Sequence, residues 1–415
     1  MNQKREPAAI SFGEFVAMMA LMQSLVALSI DAMLPALTEI GQDLGAKEVN
    51  DSQLIVSILF LGLAFGQGVY GPLSDTTGRK PAIYLGFSLF LTGCVLSLFA
   101  TDLTMMLSGR FLQGLGLAAP RSVIVAIIRD QYEGPAMARV MSFVMTIFIF
   151  VPAIAPTLGQ GILLVAHWRA IFAALLGCGI LTLIWLVLRL PETLTAERRI
   201  PFSLMRIKRA IQEVCSHRVS LGYTISLGLI SSAFLGYLSS AQQIFQKQYK
   251  LGTMFPLYFA ILALCIGSAS FANGRLVMRF GMQHLSRWSK RISTVISLLF
   301  FLYVLSAGGQ PPLWSMMVYM MAILFCFGIM YGNLNAMAME PLGHIAGVGS
   351  AVMGALSTLI SVPCGILIGH SYNGTVIPVI GGFTISGVLI VAVMHWVESK
   401  GDKTSTEQEN PEGML

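Results

Sequence analysis

Twelve mostly apolar runs follow one another along this 415-residue chain, divided by short turn-like or charged stretches. Each is about 20 residues long, the length an α-helix needs to cross a hydrocarbon core of about 30 Å. In lipid, only helices and closed barrels satisfy every backbone polar group internally. The runs lie near 14–37, 53–73, 81–100, 103–127, 140–162, 169–190, 220–243, 254–273, 292–308, 313–336, 347–370 and 375–397. A soluble chain carries roughly a quarter charged residues; here 11% are charged against 55% hydrophobic, with 24 Phe and 24 Met. The expected fold class is an all-α membrane protein of twelve transmembrane helices.

The first run follows only Lys4 and Arg5, is far longer than a signal-peptide core and has no small-residue cleavage pattern behind it, so it is expected to remain in the mature protein. Five of the six cysteines lie inside apolar runs and Cys215 sits in a basic loop, which gives neither a disulfide framework nor a metal-ligand spacing. Basic residues set the orientation. With the amino terminus inside, 20 of the 26 Lys and Arg fall in cytoplasmic segments and four (Lys47, Arg169, Lys247 and Lys250) on the other side. Arg110 and Arg121 lie within a run. Both termini are therefore expected in the cytoplasm of a multi-pass protein in the bacterial inner membrane. The same rule accounts for the +6 net charge without a nucleic-acid partner.

The longest polar interruption, from about Pro191 to Val219, divides the runs six and six. Gly71-Pro72-Leu73 with Gly78 follows the second run, and Gly274-Arg275-Leu276 with Gly281 follows the eighth, so Gly-x-Leu-x4-Gly recurs at equivalent points of the two halves. That pattern suggests a duplicated six-helix unit. The expected division is an amino-terminal bundle at 1–195, a cytoplasmic linker at 196–218, a carboxy-terminal bundle at 219–398 and a disordered cytoplasmic tail at 399–415.

An ionisable group in the middle of a span costs roughly 2.5–3.5 kcal/mol on insertion scales, so each one calls for a reason. Asp31 lies about 22 Å along the first run, and Arg110 about 10 Å into the fourth, which runs the other way, so the two share a depth. They are the candidate proton-coupling residues, able to pair or share a water if both helices face one cavity. Desolvation favours the proton on a buried carboxylate and a nearby cation favours the charge, a balance that conformation can tip. Pro35 is expected to kink the first helix one turn later. Arg121, eleven residues beyond Arg110, projects on nearly the same face about 16 Å away. With Gln113 it is a candidate for the substrate cavity, against the plainer readings of snorkelling for the arginine and an interhelical hydrogen bond for the glutamine. Between about 220 and 397 no span carries Asp or Glu at mid-depth, so Tyr331, Asn333 and Asn335 are the polar lining candidates there, beside Phe and Met.

Gly71, Leu73, Asp75, Gly78, Arg79 and Lys80 complete the pattern Gly-x-Leu-x-Asp-x-x-Gly-Arg-Lys. It resembles the loop signature of the major facilitator superfamily, whose fold is two six-helix bundles. The resemblance implies that Asp75 sits against the start of the eleventh helix and Arg79 against an acid at the end of the fourth, with Asp130 available, latching the outward-facing state. Arg110-Phe111-Leu112-Gln113-Gly114 resembles the fourth-helix motif associated with proton coupling. Ala155-Pro156-Thr157-Leu158-Gly159-Gln160-Gly161, with Pro152 upstream, partly resembles the fifth-helix antiporter motif, with Ala155 and Gln160 where glycines are usual. Ser29 to Ala36, Arg129-Asp130 and Trp168 to Phe172 resemble the bicyclomycin and chloramphenicol resistance (Bcr/CflA) branch of drug:proton antiporters.

These resemblances imply proton-coupled export of small lipophilic or amphipathic compounds by alternating access, with proton-coupled metabolite uptake in the same fold as the alternative. A membrane enzyme is disfavoured by the absence of a His-Glu-x-x-His, a Gly-x-Ser-x-Gly or a metal cluster from the sequence. Neither cofactor nor metal is expected. The partners expected are a small-molecule substrate, protons and the bilayer, and the chain is expected to act as a monomer.

Overall fold

The structure, a computed structural model, describes residues 10–48, 50–201 and 203–399. Lys4, Arg5 and the tail from residue 400 on, read above as disordered, lie outside the described residues.

In chain order the helices are α1 Phe12–Asp31, α2 Leu37–Asp43, α3 Leu54–Thr77, α4 Arg79–Leu98, α5 Leu103–Gln131, α6 Gly134–Leu163 and α7 Arg169–Arg189. They continue as α8 Leu204–Ser216, α9 Arg218–Gln242, α10 Phe255–Phe280, α11 Met282–Ser306, α12 Leu313–Met339, α13 Ala346–His370 and α14 Ile377–Glu398. No strand occurs among the described residues. Twelve helical segments are long and apolar enough to cross a membrane, one for each run in the sequence.

Local chemistry sets the ends. Ser11 caps α1 by accepting from the Glu14 amide at 3.2 Å, and Asp102 caps α5 through the Met105 amide at 2.9 Å. Pro35 brings the expected break: α1 stops at Asp31, a 3-10 turn covers Leu34–Ala36, and α2 resumes to Asp43. Three elements differ from the sequence reading. The ninth span starts ten residues earlier than 292, at Met282, because its basic first turns are held from inside: buried Lys290 and half-exposed Arg287 approach Glu398 of α14 at 3.5 and 3.7 Å. The linker is not all irregular, since α8 docks Ala210 and Val214 into a core with Tyr223, Leu227 and Met337. The seventh span ends in a π-helical turn, Gln243–Gln248.

Packing groups the described residues into two compact units. The first holds the described residues up to 204 with 238–267, so the end of the seventh span and the start of the eighth pack with the first six spans. Within it α5 crosses α3 and α4 closely over glycines and alanines. The second holds the described residues of 205–237 and 268–399, in which α11 packs on α12 and α14, and α8, α9, α12, α13 and α14 contribute to one buried apolar cluster.

Candidate functional site

Asp31 closes α1 and is 4% exposed, yet no described group donates a hydrogen bond to its carboxylate and no cation lies within 4 Å. Of the two relations the sequence allows, a direct pair or a shared water, the direct pair is not made. Arg110 is fully buried, but its guanidinium is spread over neutral acceptors: Nε donates to Ile55 O at 3.0 Å, one terminal nitrogen to Ser29 O at 2.8 Å and the other to Gln113 Oε1 at 2.6 Å. Its face rests 5.9 Å from the Phe172 ring. Arginine's planar fork suits such distributed bonding, and a carbonyl near a helix break is a free acceptor in a way that one inside a helix is not. Gln113 passes the network on, donating to Gly93 O at 3.0 Å and Ser97 Oγ at 2.9 Å. Its amide is thus occupied, against the expectation that it lines a cavity. Arg110 ties α1, α3 and α5 together two residues from Asp31 and leaves the carboxylate unpaired.

The fifth-helix motif reaches the same place. Pro152 and Pro156 lie inside α6, and a Cβ on Gly159 would fall inside van der Waals contact of the Ala32 carbonyl, a backbone atom that cannot turn aside. Glycine at 159 therefore lets α6 lie directly on the broken stretch of α1 beside Asp31.

The signature from Gly71 to Lys80 is almost wholly helical. α3 runs through Thr77, α4 starts at Arg79, and Gly78 alone turns the chain at φ 107°, where a side chain would be strained. Gly71 O accepts from Ser74 Oγ at 2.9 Å. Arg79 is buried between Asp75 at 2.5 Å and Asp130 at 2.8 Å, with Ser74 Oγ at 2.9 Å. Asp130 also accepts from the Thr193 hydroxyl at 3.1 Å. Glu192, which the sequence reading passed over, caps α4: its carboxylate accepts from the amides of Arg79 at 2.8 Å and Lys80 at 3.1 Å. An anion there meets the free amides and the positive end of the helix dipole. The signal available in the sequence was a lone acid directly after the sixth span, in Pro191-Glu192-Thr193.

Also unforeseen is a charge-free polar cluster within the first unit. Thr38 and the Gln242 amide pair at 2.7 Å, Gln53 donates to Gln243 Oε1 at 2.5 Å, and the Ser57 and Ser239 hydroxyls meet at 3.3 Å. Asn50 Oδ1 accepts from Gln243 at 3.2 Å. Nearby, Asp43 ends α2 under Trp168 Nε1 at 2.9 Å and His167 at 2.8 Å, which accounts for Trp168 in the sequence pattern.

The remaining lining candidates divide. Asn333 is buried and paired in both directions with Asn273 at 2.9 Å, which makes it a bond between helices rather than a free lining group. Arg121 is half-buried beside Pro120 in α5, and no described side chain pairs with it. Tyr331 and Asn335 are exposed on α12 without hydrogen-bond partners among the described residues.

Comparison with known proteins gives the family. The chain is 30% identical over 360 residues to an uncharacterised MFS-type transporter, YdgK, of Bacillus subtilis, covering 86% of this chain and 87% of that one. It is 26% identical to a bicyclomycin resistance protein homolog of Haemophilus influenzae, over 92% and 95% of the two chains. The multidrug resistance protein MdtL of Escherichia fergusonii is 27% identical over 78% of this chain and 80% of its own. Among solved structures, the partially occluded inward-open xylose transporter XylE of E. coli superposes with a TM-score of 0.72 at 14% identity, over 92% and 96% of the chains, a likeness of fold alone. The profile of the Major Facilitator Superfamily matches residues 19–366. With twelve spans, an intact Gly71–Lys80 signature and these relatives, the chain belongs to the Major Facilitator Superfamily, a family of multi-pass membrane transporters, and resembles its Bcr/CflA drug:proton antiporter branch.

Proposed function

We propose that this transporter exports small lipophilic or amphipathic compounds, drugs among them, in exchange for protons, and that Asp31 carries the proton. The observation that supports this most is the unpaired Asp31 carboxylate at the break of α1. A buried anion without donors is costly, so binding a proton or a cationic substrate group changes its energy more than that of any already paired side chain. Arg110 fixes the backbone around it without neutralising it. The resistance proteins named among the relatives favour export as the direction of transport.

In this reading Arg79, held by Asp75 and Asp130, stiffens the junction of α3 and α4, and alternation exchanges its contacts with those at the start of the eleventh span. Residues 1–195 and 219–398 act as two six-helix bundles of a monomer in the bacterial inner membrane, with both termini in the cytoplasm. Arg121 contacts substrate from the first bundle, and Tyr331 and Asn335 from the second.

Everted membrane vesicles test the direction. With the lumen acidified, the protein should accumulate a lipophilic dye in the lumen, and adding the dye should release protons outward. Dye movement in the same direction as the protons would support uptake instead and overturn the export reading.

A further inference from the structure

α8 carries more apolar surface than its docking uses. At about 100° per residue, Ala210, Val214, Ile207, Ile211, Leu204 and Cys215 follow one another around a single arc, and apart from Met205 the rest of the helix is polar. Only the first part of the arc is covered. Ala210 and Val214 are buried in the core with Tyr223, Leu227 and Met337, whereas Leu204 is 72% exposed, Ile211 41% exposed and Cys215 exposed. Spaced at i, i+7 and i+11, the last three form one open edge about 16 Å long.

Charge lies on the open side as well. Lys208 borders the edge, Arg209 follows it around the helix, and both are exposed. The one acid of α8, Glu213, is half-buried on the side opposite the edge. Across residues 196–218 six Lys and Arg stand against two acids. Connectivity keeps this helix at the membrane surface. His217 alone separates α8 from Arg218, where a spanning segment begins, and backbone bonds bridge the join: His217 N donates to Glu213 O at 3.0 Å and Leu221 N to His217 O at 2.9 Å. Open aliphatic side chains beside basic ones, on a helix too polar to span, are the make-up of a helix that lies in the interface.

We propose that the open edge of α8 seats on the bilayer surface, with Leu204 and Ile211 at the acyl boundary and Lys208 and Arg209 on the phosphates of anionic phospholipids. The core of its own unit holds one half of the apolar arc, and the leaflet holds the other. Charge selects the lipid: basic side chains are drawn to a negatively charged leaflet within a Debye length, and a zwitterionic leaflet offers no such field.

Full-length protein in nanodiscs of phosphatidylcholine, with or without phosphatidylglycerol, provides the test. The rate at which a neutral, bulky maleimide modifies Cys215 is followed by mass spectrometry. Cys215→Ser with Ser216→Cys moves the thiol to the polar side of the same helix and reports water access there. Phosphatidylglycerol should slow Cys215 about tenfold, the order of effect that one or two basic residues confer at an anionic surface, and leave the moved thiol unchanged. Lys208→Gln with Arg209→Gln should return Cys215 to its rate in phosphatidylcholine, and so should high salt. Equal rates for Cys215 in the two lipids would overturn the proposal. So would equal slowing of the moved thiol, or slowing that persists in Lys208→Gln with Arg209→Gln.

Discussion

Arg110 does at the residue scale what an ion pair is usually invoked for, with carbonyls in place of a carboxylate. Three donors satisfy Ser29 O, Ile55 O and Gln113 Oε1 in a fully buried site. Lysine, a point charge with another donor geometry, cannot make these bonds together. Arg110→Lys should therefore lower stability by about 2 kcal/mol, the cost of leaving a buried acceptor unmet, seen as a lower melting temperature of the purified protein. A melting temperature equal to that of the unaltered protein would contradict this. Glu192 gives a second prediction: Glu192→Ala should cost about 1 kcal/mol as a lost helix cap, read from the same melts, and Glu192→Gln, which keeps an acceptor, should cost less. Asp31 and Arg110 were legible in the sequence because charge inside an apolar run stands out whatever its partners. Their relation was not legible, because two residues at one depth can each face a different neighbour, and only the fold shows that Arg110 turns to the backbone beside the break. Glu192 was hidden for the opposite reason: an acid in a polar stretch looks like any solvated charge until the amides of Arg79 and Lys80 are seen above it.

Close approach decides the element scale. α6 lies on the α1 break because Gly159 has no side chain to meet Ala32 O. Gly159→Leu should separate the two helices and reduce transport far more than it reduces insertion, measured as dye efflux normalised to the protein present in the membrane. Unchanged efflux would show that this packing is dispensable. The charge-free cluster is the other element-scale device. Its amides and hydroxyls join the end of α9 and its π-turn to α2 and α3, and hydrogen bonds between neutral groups are individually modest, about 1 kcal/mol net each. Such a contact can open and close during a transport cycle without separating opposite charges. The Ser57 and Ser239 hydroxyls are 3.3 Å apart, so Ser57→Cys with Ser239→Cys should cross-link under mild oxidation and stop transport until a reductant is added. Failure to cross-link, or transport at the ordinary rate once cross-linked, would exclude a moving contact here. Hydropathy found the twelve spans well because apolar length is a one-dimensional property. It missed α8, whose apolar residues are interleaved with basic ones, and the basic start of α11, where Arg287 and Lys290 share Glu398, distant in sequence.

At the scale of the whole molecule, the account joins an unpaired carboxylate at a helix break, an arginine that holds the break in shape and a rigid junction between α3 and α4. Family membership makes the chain a transporter, and the coupling assigned to Asp31 is the central claim about how it works. Reconstituted vesicles carrying an imposed proton gradient test it most directly, comparing the intact protein with Asp31→Asn, which keeps the shape of the side chain and cannot take up or release a proton. The account predicts gradient-driven dye accumulation by the intact protein and its loss in Asp31→Asn, with dye binding to the purified variant retained. Gradient-driven accumulation by Asp31→Asn at the rate of the intact protein would contradict it.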